Sequence, residues 1–103
     1  MAPMALTHWA MIVSAPGLEP NTHTTSFDTD GCKSVIVGVS KPEEGVAAAE
    51  RLVADGVQLI ELCGGFGPLW TAKILDAIDG AVPVGSVGYG PEAIAQVHRI
   101  FAN

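Results

Sequence analysis

A carboxylate and a thiol flank one leucine in Glu61-Leu62-Cys63, and the glycine-rich turn Gly64-Gly65-Phe66-Gly67-Pro68 follows at once. The pairing suggests two kinds of chemistry. A carboxylate set among Leu59, Ile60 and Leu62 is expected to lose water, which raises its pKa and suits a general acid or base. It equally suits a structural Glu paired with Lys41, Lys33 or a histidine, or bonded to N–H groups of the glycine turn. Cys63 precedes an expected helix N-terminus, where a thiolate is favoured and nucleophilic catalysis is open to it. Cysteine is also a common small buried residue, and no motif ties His8, His23 or His98 to it.

The elements that must position these groups alternate in type. Residues 9–15, 33–39, 57–62 and 82–87 are apolar runs of strand length, rich in Val and Ile. Helices are expected from about 43 to 55, with Val46, Ala49, Leu52 and Val53 inward, and from Pro68 to Gly80, with Trp70, Ile74, Ala77 and Ile78 inward. A last helix puts Ile94, Val97 and Phe101 inward and runs nearly to Asn103. Ser40 and Glu43 have capping-box spacing, and Gly56 stands where a helix should stop. Pro83 confines its strand to an edge, or itself to the strand's first position.

This order predicts one α/β domain over residues 1–103, with a four-stranded, mainly parallel sheet flanked by helices. A Rossmann-like or flavodoxin-like open sandwich fits best, since the alternative, half of a (β/α)₈ barrel, would leave strand edges unpaired. Strand order 2-1-3-4 is expected, with Val57 to Leu62 interior because an edge would leave that run wet. No hairpin turn signal is assigned. Residues 18–31, rich in Thr, Asn, Asp, Gly and Pro, are left between a short poor helix and a lid loop.

Ligands of parallel sheets sit beyond the strands' carboxyl ends. Those ends gather Ser14, Ser40 and Lys41, then Glu61, Cys63, Gly64, Gly65 and Gly67, and finally Gly88, Tyr89 and Gly90. The two glycine loops lead into helix starts, which attract anions. A small anionic or phosphorylated metabolite is therefore the expected ligand, with Glu61 as acid–base group or polar anchor. The rival expectation is a non-catalytic oligomeric module in which Glu61 and the glycines serve packing. No His or carboxylate pair shows metal-ligand spacing, the dinucleotide fingerprint is incomplete, and no cofactor is expected.

Five Lys and Arg against eleven Asp and Glu give a net charge of −6, with no basic stripe for nucleic acid or anionic membrane. No apolar run reaches the ~20 residues of a membrane span, and the first eight residues do not read as a signal peptide. Cys32 and Cys63 fall at opposite ends of parallel strands, on the order of 20 Å apart, where a disulfide needs ~7 Å. Two free thiols and a cytoplasmic setting are expected. The 49% hydrophobic content and mean hydropathy of +0.37 exceed what so small a core should hold. A homo-oligomer is expected, using helix faces near Trp9 and Trp70.

Two local stretches resemble tryptophan synthase alpha subunits. Gly56-Val57-Gln58-Leu59-Ile60-Glu61-Leu62 is similar to a strand whose final Glu is their acid–base catalyst, and Val87-Gly88-Tyr89-Gly90 to a phosphate-binding loop of such barrels. A broader match takes in Ala15-Pro16-Gly17, Val37-Gly38-Val39, Glu61 through Pro68, and Pro83-Val84-Gly85. It resembles a family of small α/β proteins known only as a domain of unknown function, which implies the fold and no activity.

Overall fold

A computed structural model describes residues 5–102; the expectations for Met1 to Met4 and Asn103 lie outside the described residues. Strand β1 (His8–Ser14) leads through a loop to β2 (Thr24–Thr29) and β3 (Cys32–Val39). A 3₁₀ turn (Pro42–Glu44) enters helix α1 (Gly45–Ala54), followed by β4 (Ile60–Leu62), α2 (Gly67–Ala77) and β5 (Val84–Ser86). A second 3₁₀ turn (Pro91–Ala93) opens α3 (Ile94–Phe101).

The sheet order is β2-β3-β1-β4-β5. The four expected strands stand in the expected order, all parallel, and β4 is interior between β1 and β5. Its bridged part is only Ile60–Leu62, although the Gln58 N–H also donates to His8 O at 2.8 Å. Pro83 lies just before the edge strand, where its missing N–H costs nothing. Because β3 and β4 flank β1, the chain order around the sheet is not that of a half-barrel.

The fifth strand corrects the expectation for residues 18–31. Thr24 to Thr29 pair antiparallel with β3, from Thr24 opposite Val37 to Thr29 opposite Cys32, so the sheet is mixed. The connection is the dipeptide Asp30-Gly31, with φ of +50° and +77°. Positive φ at both positions of a two-residue loop matches the twist of paired strands, and Asp-Gly is a strong signal for it. The threonines that oppose a helix favour a strand, and the turn signal assigned as lacking is present.

Helices α1 and α2 touch each other and cover one face of the sheet. The core lies between: Ala10, Ile12, Val35, Val37, Val39, Ile60 and Leu62 from the strands, and Ala48, Ala49, Leu52 and Ile74 from the helices. Gly45 sits at the tightest point, where an added Cβ would come within 2.6 Å of the Phe66 ring. Gly56 ends α1 with φ +95°, as expected of a C′ glycine. The expected capping box is shifted by one residue: Ser40 donates its N–H (2.8 Å) and its hydroxyl (2.7 Å) to Glu44 Oε1, not to Glu43. Those two bonds, the hydroxyl's first, hold the Glu44 carboxyl below its ordinary pKa.

The other face of the sheet has no layer over it. A three-layer sandwich needs a helix there, and the β1-to-β3 link that would supply one is the β2 hairpin. Alternation along the strands sends Trp9, Met11, Val13, Ile36 and Phe27 to this side. The first four are half-buried and Phe27 is 58% exposed. The last helix is also a correction. No residue of α3 is buried, and Ile94 and Phe101 are 65% and 78% exposed instead of facing the core.

Candidate functional site at the carboxyl ends of β1, β4 and β5

Parallel pairing brings the ends of β1, β4 and β5 side by side, and Cys63 joins them. Its N–H donates to Ile12 O (3.1 Å), and its Sγ accepts the Ser14 N–H (3.3 Å). The sulfur thus takes the place of a ladder carbonyl where β4 stops. Both cysteines are free thiols, as expected. Phe66 N–H closes the following turn on Cys63 O at 3.1 Å, and the buried Phe66 ring locks that turn onto α1.

Glu61 does not have the desolvated setting the sequence implied. Its neighbours Ile60 and Leu62 point into the core, so Glu61 points to the uncovered face and is exposed. Across the ladder it stands between Met11 on β1 and Gly85 on β5. Neither lysine named as a possible partner is near in the sheet order: Lys33, second in β3, lies on the covered side, and Lys41 lies past the end of β3.

The glycines divide into two groups. Gly67, the first residue of α2, has φ +68° and needs to be glycine. Gly64, Gly65, Gly85 and Gly88 have no positive φ. An added Cβ would find only ordinary contacts at Gly64 and Gly65, the nearest at 3.6 Å, and open space at Gly85 and Gly88. These four therefore have no conformational or packing reason to lack a side chain; Gly85 pairs with Glu61 in the ladder, and Gly64, Gly65 and Gly88 follow the ends of β4 and β5. Tyr89 is 69% exposed, and its ring edge lies 3.7 Å from the Gly64 Cβ position. Gly90 differs: the Glu92 carboxylate folds back to within 2.5 Å of its Cβ position, which puts negative charge on the second glycine loop.

The expected set is thus split. Cys63 meets Ser14 and lies beside Gly65, and Gly64 lies beside Tyr89, while Glu61 and Gly88 belong to the same strands and ends without a recorded contact to them; Ser40 is committed to Glu44 and Lys41 is exposed two strands away. Gly85 was not named as a site residue. A glycine inside a strand of valines often marks a close approach, and that signal stood in the sequence. Concavities lie elsewhere, on the α1 side of β3; one of about 550 Å³ is lined by Gly17, Asn21, Ser40, Glu44 and Arg51. It mixes Arg51 with the Glu19 and Glu44 carboxylates over an alanine floor. Among the described residues no three His, Cys, Asp or Glu side chains gather as a metal site, and no helix is long and apolar enough to cross a membrane.

Residues 7–102 match the sequence profile of a family of unknown function, DUF6506. The chain belongs to that family. The match spans both glycine turns and every element described above, so the Glu61 patch lies within the DUF6506 region. No curated protein and no solved structure matches the chain, and the resemblance to tryptophan synthase gains no support from either comparison. Membership of the DUF6506 family brings no activity with it.

Proposed function

We propose that the protein binds a small anionic or phosphorylated metabolite where β4 and β5 end on the uncovered face, with Glu61 as the polar anchor. The observation that carries this reading is the set Gly64, Gly65, Gly85 and Gly88, four glycines of β4 and β5 and their ends that neither φ nor packing requires, with Gly85 paired to the exposed Glu61. Missing side chains let a ligand approach the backbone closely. The anionic end meets the Gly64-Gly65 turn and the first turn of α2, which has no side-chain cap. A hydroxyl or amine of the ligand meets Glu61, and Tyr89 lends a ring face. Acid–base catalysis by Glu61 requires that this carboxylate be withdrawn from water.

A metabolite library screened by thermal shift tests the reading, beside Glu61→Gln. A ligand at about 100 times its Kd adds ~2.7 kcal/mol of stability. Because Glu61 is exposed, the Gln variant is expected to stay within about 0.5 kcal/mol of the parent while the ligand-induced shift collapses. An unchanged shift in Glu61→Gln removes Glu61 from the site.

A second reading, a homo-oligomeric module, is favoured by a different observation: the uncovered sheet face and α3 both present apolar side chains to water. The two unpaired thiols fit a reducing cytoplasm.

A further inference from the structure

Resting on that second reading, we propose which surfaces join: the uncovered sheet face of one copy is covered by a second copy, whose α3 lies across it.

The two surfaces match in kind. The sheet face offers Trp9, Met11, Val13, Ile36 and Phe27, none of which belongs to the core between sheet and helices. On α3, Ile94, Val97, Ile100 and Phe101 fall within one stripe at 100° per residue, and the polar residues Gln96 and Arg99 fall outside it. Three of those four apolar residues are more than 60% exposed. Soluble chains rarely leave contiguous apolar surface of this kind free, and where they do it marks an interface.

The size of the gap argues for a partner over the chain's own helix. Five strands at ~4.8 Å spacing present a face on the order of 20 Å wide. An α-helix is ~10 Å across, so a single α3 covers only about half of that face, and the remainder needs further surface that a second copy can bring. The chain's own α3 is also held off it, and the radius of gyration is 14.6 Å where a compact chain of this length has about 13 Å. A two-fold pair brings each sheet face and each α3 into one self-complementary interface. Projected sheet of on the order of 300–400 Å² plus a helix side approaches the ~800 Å² of accessible surface per partner that stable interfaces bury.

Charge agrees as well. Glu61 is the one charged strand residue on the uncovered face, and α3 carries no acid, only His98 and Arg99. At 100° per residue His98 lies at the border of the apolar stripe.

The experiment is sedimentation velocity of the full chain from low micromolar to near-millimolar concentration, beside Ile100→Asp/Phe101→Asp. Both proteins are also read by Trp9 fluorescence in a Trp70→Phe background. The parent is expected to dimerise with blue-shifted Trp9 emission. The variant, having lost no core contact, keeps its far-UV spectrum and associates roughly a hundredfold more weakly. Phe101→Ser, a milder variant, moves the equilibrium the same way. A parent that stays monomeric throughout defeats both this inference and the oligomeric reading. A dimer as tight in both α3 variants as in the parent leaves the oligomer standing and overturns α3 as the covering element. A monomer whose Trp9 emission shifts red in the variant means that α3 folds over its own sheet, which also overturns the inference.

Discussion

Cys63 does structural work with the atom that makes it look catalytic. Its sulfur is the acceptor for the Ser14 N–H at a half-buried strand end, and a backbone donor left there without a partner costs about 1–3 kcal/mol. Cys63→Ala is therefore expected to lose on the order of 1–2 kcal/mol in urea unfolding, against about 0.5 kcal/mol or less for Cys32→Ala at the far end of the sheet. Equal losses would remove the sulfur from the ladder's accounting. The nearness of Ser14 to Cys63 and of Gly64 to Tyr89 at the strand ends was legible in the sequence, and the separation of Ser40 and Lys41 from them was not. The setting of Glu61 was not. Its two apolar neighbours suggested burial, but strand alternation alone sends it to the opposite face from them, and only the fold says which face is covered.

Among the elements, the β2–β3 hairpin rests on its turn. Gly31 holds φ +77° with open space around its Cβ position, so strain alone decides what a side chain costs there. Gly31→Val is expected to destabilise by roughly 1–2 kcal/mol. The loss should appear first in the β2 amides by hydrogen exchange, with those of β1 and β4 little changed; uniform exchange across the sheet would count against a turn-limited β2. This hairpin is legible in Asp30-Gly31; the threonines before it disfavour a helix and favour a strand equally well, which is the half of their meaning a helix-or-loop choice omits. Helix α1, β4 and the stop at Gly56 were readable because periodicity and caps agreed there. The amphipathic pattern of α3 was equally clear, yet a stripe specifies that something will cover it and is silent about which chain supplies the cover.

At the scale of the molecule, the same ambiguity governs the sheet. Trp9-Ala10-Met11-Ile12-Val13 is apolar on both sides and reads as a strand buried on both faces. One side is buried by α1 and α2, and the other is open because the first crossover is a hairpin in place of a helix. The strand order followed from the segment pattern. The number of layers did not, since it depends on a connection whose residues carried a weak signal.

The loose attachment of α3 has a consequence for how the chain meets a protease. Eight residues are too few to hold a helix in water without packing. In dilute solution this segment should fray, and the peptide bond after Arg99, at an exposed residue, becomes a ready substrate for trypsin. Raising the protein concentration should slow that single cut, with the nearest upstream basic residue, Lys73, serving as an internal reference on a packed helix. A cleavage rate after Arg99 that does not depend on concentration would mean that the tail is equally loose in every state of the protein. A rate that falls as copies meet would make assembly itself the step that finishes folding.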